Sequence, residues 1–129
     1  MKPPGYGAMR REMTRRLTMN MHKGTYWLCG RGGRGVRAKK VEGYINGDVG
    51  LRRTDPDGNV WTATHIPTGL LLCRAKTMTD AYATALRMLA GFSEGYRRKR
   101  EDSNVVKAFR ARVKMHVALE ESRKSEGVL

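Results

Sequence analysis

The stretch from residue 49 to residue 92 constrains the fold most strongly, because three strand-like segments there lead directly into one helical pattern. The strand-like segments are rich in β-branched, aromatic and other apolar side chains and lie at residues 49–54, 59–66 and 70–75. Two turn sequences separate them, Asp-Pro-Asp-Gly at 55–58 and Pro-Thr-Gly at 67–69. Connections this short join antiparallel neighbours, so the sequence predicts an antiparallel β-meander.

A helix is predicted at residues 77–92, immediately after the third strand. Thr77 and Asp80 have the spacing of an N-terminal capping box, and Gly91 provides a stop signal. Apolar residues between these signals recur every three or four positions and give the helix one apolar face: Met78, Ala81, Tyr82, Ala85, Leu86 and Leu89. We expect this face to pack on the meander.

Further strands and a second helix extend this core on both sides. Residues 25–29 and 36–45 are β-prone, and the second run ends at an Asn-Gly turn pair. Ser103 is placed to cap a helix at 103–123, which carries Val106, Phe109, Val113 and Val117 on one side. The predicted fold class is α+β: an antiparallel meander of about three to five strands packed by one helix, with a second C-terminal helix and a basic N-terminal arm.

Alternation along the strands assigns side chains to the two faces of the sheet. Trp61 and Ala63, with Leu71 and Cys73 on the next strand, are expected beneath the helix. The opposite face would then be polar and basic, and suited to nucleic acid, through Arg52, Thr62, Thr64 and Arg74. Leu70 and Leu72 are expected on that same face and favour a protein contact instead.

Charge is the clearest functional signal. The 129 residues include 26 Lys and Arg against 12 Asp and Glu, a formal net charge of +14, and such a chain usually has a polyanionic partner. Residues 1–42 and 97–129 carry the excess, whereas residues 43–96 are balanced. We therefore divide the chain into a basic N-terminal arm that could be helical at 8–21, a core of meander plus helix, and a basic linker with the C-terminal helix, at 1–24, 25–92 and 93–129.

The Arg–Gly segment at residues 30–35 is expected to be a loop, because its glycines disfavour a strand interior. Arginine can fork onto phosphate, and glycine lets the backbone approach a ligand closely; the alternative is a solvated loop without a ligand. With the charge run at 97–100 and a basic stripe on the second helix, the predicted nucleic-acid-binding residues are Arg31, Arg34, Arg37, Lys39, Lys40, Arg52, Arg74, Arg97, Arg98, Lys99, Arg100, Lys107, Arg110 and Lys114.

The sequence shows no catalytic constellation, metal site or cofactor motif. His22, His65 and His116 lack the spacing of metal ligands. Cys29 and Cys73 make no disulfide framework and fit a reduced, intracellular protein. No apolar run approaches the length of a membrane span. We therefore expect a non-catalytic protein without a cofactor or a membrane association, located in the cytoplasm or nucleoid.

The segment from Gly50 to Leu89 resembles the DNA-binding domains built from a three-stranded sheet and one helix. The likeness lies in a strand tryptophan (Trp61), a Thr-Gly hairpin (68–69) and a Thr-x-x-Asp-Ala helix start (77–81). Such domains include the arm-site-binding domains of tyrosine recombinases and the plant AP2 type. They lay the sheet in the major groove, and the resemblance implies that role for Arg52, Thr62, Thr64 and Arg74.

The sequence favours a small basic nucleic-acid-binding protein that contacts mainly phosphates, with DNA and RNA equally open. The chain also resembles, in type, small basic proteins of phages and mobile elements such as anti-CRISPR proteins. On that alternative it would bind a host protein or a nucleic-acid-processing complex and inhibit or modulate it. A structural component of a ribonucleoprotein particle is the third interpretation.

Overall fold

The computed structural model describes residues 20–33, 35–54 and 59–126, which form an antiparallel sheet and three helices. The strands lie side by side in chain order as β1 (His22–Gly32), β2 (Gly35–Asn46), β3 (Val49–Arg53), β4 (Trp61–His65) and β5 (Leu70–Ala75). The helices are α1 (Met78–Gly91), α2 (Glu94–Glu101) and α3 (Asn104–Glu126). The predicted α+β class and meander order are confirmed. The turn at 55–58 lies outside the described residues, as does nearly all of the helix suggested at 8–21.

β1 and β2 form one long hairpin that contains most of the Arg–Gly segment. Its register runs from His22 opposite Ile45 to Gly32 opposite Gly35. The prediction of a loop at 30–35 is therefore wrong for residues 30–32 and 35, which are strand. A glycine contributes no side-chain packing to a strand, but its backbone groups pair like any others, and β2 offers a continuous partner here.

A β-bulge in β5 changes which leucine joins the core. Ala63 pairs with Cys73 but the next residue, Thr64, pairs with Leu71, so Leu72 is the extra residue. Leu72 is buried at 7% exposure within the core beneath α1, whereas Leu71 is 50% exposed on the opposite face. The expected placement of these two leucines is therefore reversed, because strict alternation does not hold across a bulge.

The core lies between α1 and the part of the sheet formed by β3, β4 and β5. Its buried members are Val49, Leu51, Ala63, Leu72, Ala81, Tyr82 and Ala85, with Trp61 and Cys73 packed against them. The α1 residues recur at the helical spacing expected from the sequence. Thr77 caps this helix, since its Oγ1 accepts a hydrogen bond from the Asp80 backbone N–H at 3.1 Å, which confirms the predicted start.

α3 packs on the β1–β2 hairpin, beyond the area that α1 covers. Ser103 caps it as predicted, accepting from the Val106 N–H at 3.2 Å. Phe109, which is 3% exposed, sits against Gly69 in the β4–β5 turn, where φ is +69° and a Cβ would collide with the ring. Glycine is therefore required at this turn for both its conformation and its size. None of the helices in the described ranges is long and apolar enough to span a membrane.

α2 occupies residues that the sequence analysis assigned to a linker. Ser93 Oγ caps it by accepting from the Tyr96 N–H at 3.1 Å. The Tyr96 ring meets Phe92 edge-on with centroids 4.9 Å apart, and the Arg100 guanidinium lies 5.0 Å from the centre of the Phe92 ring. Aromatic and cation–π contacts thus hold a helix that has no apolar stripe.

Candidate nucleic-acid interface

Arg52 and Arg74 lie on the face of the sheet opposite the helices, one on each side of Thr62. The register pairs Arg52 with Thr62 and Thr62 with Arg74, so all three share a face. Two strand spacings of about 4.8 Å put the arginine Cα atoms about 10 Å apart. The prediction that these residues share one face is therefore correct. We call this surface the basic face and define it by Tyr26, Arg37, Lys39, Val41, Gly43, Gly50, Arg52, Thr62, Thr64, Leu71 and Arg74.

The hairpin contributes Arg37 and Lys39 to the same basic face. Arg37 pairs with Gly30 and Lys39 with Leu28, two residues apart on each strand. The Arg37 guanidinium lies over Gly32, where an added Cβ would come within 2.9 Å of its Nε. The glycines that argued for a loop thus make room for an arginine side chain on the strand, and both cations are exposed.

Tyr26 fills the middle of the basic face between these two pairs of cations. Its ring lies over Gly50, where an added Cβ would be 2.7 Å from the ring atoms. The side chain is 2% exposed and its hydroxyl has no hydrogen-bond partner among the described residues. Burial raises the pKa of Tyr26 to about 12, against a smaller lowering from the Arg52 charge. This tyrosine is therefore a packing residue and is not available to stack on a base.

Thr62 and Thr64 are also buried, at 7% and 1% exposure. The Thr62 hydroxyl donates to the Arg52 backbone carbonyl at 3.3 Å. The lateral neighbours of Thr64 are Gly50, beneath the Tyr26 ring, and Leu71. The expectation that these threonines form a presented surface is therefore wrong; of the two arginines beside them, Arg74 is exposed and Arg52 is half-buried.

Within the described ranges, the strands turn no carboxylate toward the basic face. The five strands contain eight Lys and Arg residues and one acidic residue, Glu42. Glu42 pairs with Thr25, so it points to the side on which the helices pack. The strand residues of the basic face thus include four cations and no carboxylate.

α3 stands on the other side of the hairpin and carries its own cations. The Trp27 and His116 rings stack with centroids 5.4 Å apart and planes inclined by 19°, and Lys40 Nζ pairs with Glu120 at 3.1 Å. With these residues turned toward the hairpin, Lys107 and Lys114 are exposed on α3. Arg110 is also exposed and donates from Nε to the Pro67 carbonyl at 3.1 Å.

Arg112 and His116 were missed by the sequence analysis. Both line a cleft of about 290 Å³ with residues 36–38 of β2. The sequence does carry a signal for both residues, a helical stripe that repeats every three or four positions: Phe109, Val113, His116 and Glu120. Arg112 flanks this stripe on the side away from Arg110. His116 takes part in an aromatic stack with Trp27.

The charge run at 97–100 is not a single surface, because successive helical residues are 100° apart. Arg97 donates to the Leu89 carbonyl at 2.7 Å and Arg98 pairs with Glu94 at 2.6 Å. Arg100 packs over Phe92, and Lys99 is exposed. Structural contacts therefore account for three of these four cations.

The remaining predicted residues are at the hairpin tip. Arg31 is exposed on β1, on the side of Trp27 and α3; Arg34 lies outside the described residues. Cys29 and Cys73 are unpaired, and burial raises the pKa of both thiols. Within the described ranges no group of three or more His, Cys, Asp or Glu residues could hold a metal ion.

One polar cavity of about 200 Å³ lies between the sheet and α2 and is lined in part by Asp48, His65, Arg97 and Glu101. His65 Nδ1 is 2.8 Å from the Thr68 hydroxyl. Burial lowers the pKa of His65; among the smaller effects of nearby charges, Asp48 and Glu101 raise this pKa and Arg100 and Arg110 lower it. Cations and carboxylates are equal in number in the lining of this cavity, so it lacks the excess of positive charge that distinguishes the basic face.

No protein-family model, no curated protein and no solved structure matches the chain.

Proposed function

We propose that this chain is a non-catalytic nucleic-acid-binding protein that contacts phosphates mainly through the basic face. The observation that carries the proposal is the segregation of charge: Arg37, Lys39, Arg52 and Arg74 share a face whose strands present no carboxylate. Cations without acidic partners create a positive field that polyphosphates neutralise, with release of the counterions condensed on the nucleic acid.

The four cations form two pairs at opposite ends of the basic face, and buried residues occupy the middle of the face between them. Arg37 and Lys39 lie at one end of the basic face, and the buried Tyr26 and Val41 separate them from Arg52. The six residue steps along β2 from Arg37 to Gly43 span about 20 Å, the length of about six nucleotide steps at 3.4 Å each. A small anion could meet only one end of this arrangement.

Base recognition is expected to be weak. The buried hydroxyls of Thr62 and Thr64 cannot reach base edges, so the arginines provide the contacts, and phosphate contacts carry no sequence information. The packing of α1 on one face of β3–β5 supports the proposal, because the resemblance to sheet-and-helix DNA-binding domains implies that the other face meets the nucleic acid.

Binding measured as a function of salt tests this function. Fluorescence anisotropy with a 25-nucleotide single strand, the matching duplex and a structured RNA would be followed from 50 to 300 mM KCl. Four phosphate contacts predict a slope of log K against log salt of about −3.6 for duplex DNA and about −2.8 for a single strand. Absence of binding at 50 mM, or a slope near zero, would contradict the proposal.

A protein partner is the second candidate, supported by apolar side chains on α3. Met115 and Leu119 are one helical turn apart and are 44% and 50% exposed. Such a pair favours contact with another protein surface. Pull-down of a defined partner that survives nuclease treatment would favour this candidate, and loss of that partner on nuclease treatment would favour nucleic-acid binding.

A further inference from the structure

We propose that the protein holds two nucleic-acid segments at once, one on each side of the β1–β2 hairpin. This inference rests on the proposed function and goes beyond it, because a protein with one basic surface would hold one segment. Three observations carry it: the cations on the basic face of the hairpin, the cations on α3, and the layer of packed residues that separates them.

The first surface is the basic face at the hairpin. Arg37 and Lys39 point to this side, since they pair with Gly30 and Leu28 in the alternating register. Both are exposed, and neither makes an ion pair within the described chain. Nothing lies within 4 Å of the Cβ position of Gly30, so a phosphate backbone can approach the strand closely there, whereas the Arg37 side chain covers Gly32.

The second surface is the outward side of α3, above the same length of hairpin. α3 crosses the opposite side of β2, where Arg112 lines a cleft with residues 36–38 and Glu120 reaches Lys40. Residues 104–119 of this helix include four cations and no carboxylate. Lys107 and Lys114 are exposed and lie across the helix from the stripe of Phe109 and His116, and Lys114 also borders a cleft with residues 25–27 of β1.

The hairpin and α3 together form a wall between these two surfaces. The stacked Trp27 and His116 rings and the Lys40–Glu120 pair lie within it. A helix is about 10–12 Å across with its side chains, so the two sets of cations are about 15–20 Å apart. Duplex DNA has a persistence length of about 150 base pairs, so a short duplex is too stiff to bend around this wall and meet both sets.

A co-capture experiment with two short duplexes tests the inference. One 20-base-pair duplex is fixed to beads and a second, fluorescent duplex is free in solution. We expect the protein to retain the fluorescent duplex on the beads. Retention should rise with protein concentration and fall again when protein exceeds both duplexes, because each duplex then binds a separate molecule.

Two double variants separate the surfaces. Arg37→Gln with Lys39→Gln removes the cations of the basic face at the hairpin, and Lys107→Gln with Lys114→Gln removes those of α3. Each should still bind one duplex in anisotropy measurements but reduce co-capture at least tenfold. The matched control is Arg123→Gln with Lys124→Gln, which removes two exposed cations from the last turn of α3 and should leave co-capture unchanged.

The outcomes distinguish this inference from the proposed function. If the unaltered protein binds no duplex, the proposed function fails. If it binds one duplex without co-capture, only the two-segment inference fails. Co-capture that survives both double variants, or that requires a dimer detected by light scattering, also overturns it. Loss of all duplex binding in either double variant, with an unchanged circular dichroism spectrum, would indicate a single surface.

Discussion

Replacing Arg52 and Arg74 together by glutamine should weaken nucleic-acid binding without unfolding the protein. Arg74 is exposed and Arg52 is half-buried, and both lie beside Thr62 on the basic face. The Thr62 hydroxyl donates to the Arg52 backbone carbonyl, which glutamine keeps. The substitution therefore removes two phosphate-binding charges and leaves the ladder between β3, β4 and β5 intact.

The size of the effect follows from counterion release. Each lost phosphate contact reduces the magnitude of the salt slope by about 0.9 on duplex DNA and by about 0.7 on a single strand. Two contacts change the duplex slope by about 1.8, which at 0.1 M salt corresponds to about 60-fold weaker binding if affinity at 1 M is unchanged. The corresponding loss on a single strand is about 25-fold.

The assay is the salt titration by anisotropy, run beside a variant of equal net charge. Arg123→Gln with Lys124→Gln lowers the charge by the same two units at the end of α3. If binding depended only on total charge, the two double variants would have equal slopes. Equal slopes would therefore refute the assignment of the basic face, and a full-strength slope in the Arg52 and Arg74 variant would refute it more directly.

Three further predictions concern the supports of the basic face and of α1. Tyr26→Phe should be at least as stable as the parent near neutral pH, because it removes a buried hydroxyl without a partner. The pKa of Tyr26 is raised to about 12, so the folded state keeps the phenol proton at a pH where the unfolded state begins to lose it. The stability that depends on this proton is complete below pH 10 and is lost between pH 10 and 12. Urea melts should then show the parent losing on the order of 2–3 kcal/mol more than the variant over that interval; parallel losses would contradict this. Gly50→Ala places a methyl group 2.7 Å from the Tyr26 ring and should cost about 1–3 kcal/mol in the same melts, so an unchanged urea midpoint would show that the ring can move aside. Thr77→Ala removes the cap that receives the Asp80 N–H and should cost about 1 kcal/mol by thermal unfolding; a cost near zero would mean that water replaces the cap.

The part of the fold from β3 to α1 could be predicted from local patterns because each element there follows a simple period. Alternating residues on β4 and the three-and-four spacing on α1 both lead to the observed core. The bulge at Leu72 could not be predicted in the same way. One extra residue changes the face of every residue before it, and only pairing with Thr64 and Ala63 reveals its position.

The glycine-rich end of the hairpin and α2 were not predicted from the sequence, for different reasons. Gly30 and Gly32 become strand residues through pairing with β2, and α2 depends on the contacts that Tyr96 and Arg100 make with Phe92. The strand pairing of the glycines has no signature within a short window of sequence. The Ser93 cap and the four-residue spacing of Phe92 and Tyr96 are local signals for α2.

The candidate site was predicted in part. The alternation of side chains along the strands correctly predicted that Arg52 and Arg74 lie on the same face of the sheet. Charge alone suggested residues 97–100, where three of the four cations have structural contacts. It did not identify Arg112, whose place in a cleft depends on how α3 crosses β2.

The contact between Lys40 and Glu120 joins residues that are 80 positions apart, and this separation has a consequence for the order of folding. Closing so long a loop is entropically expensive, whereas β3, β4, β5 and α1 meet through neighbours in the chain. We expect that central unit to form first and the hairpin to acquire its packed form only when α3 docks on it. Pulsed hydrogen exchange during refolding should protect the Ala63 amide before that of Leu28, which faces β2, and the reverse order would exclude this sequence of events.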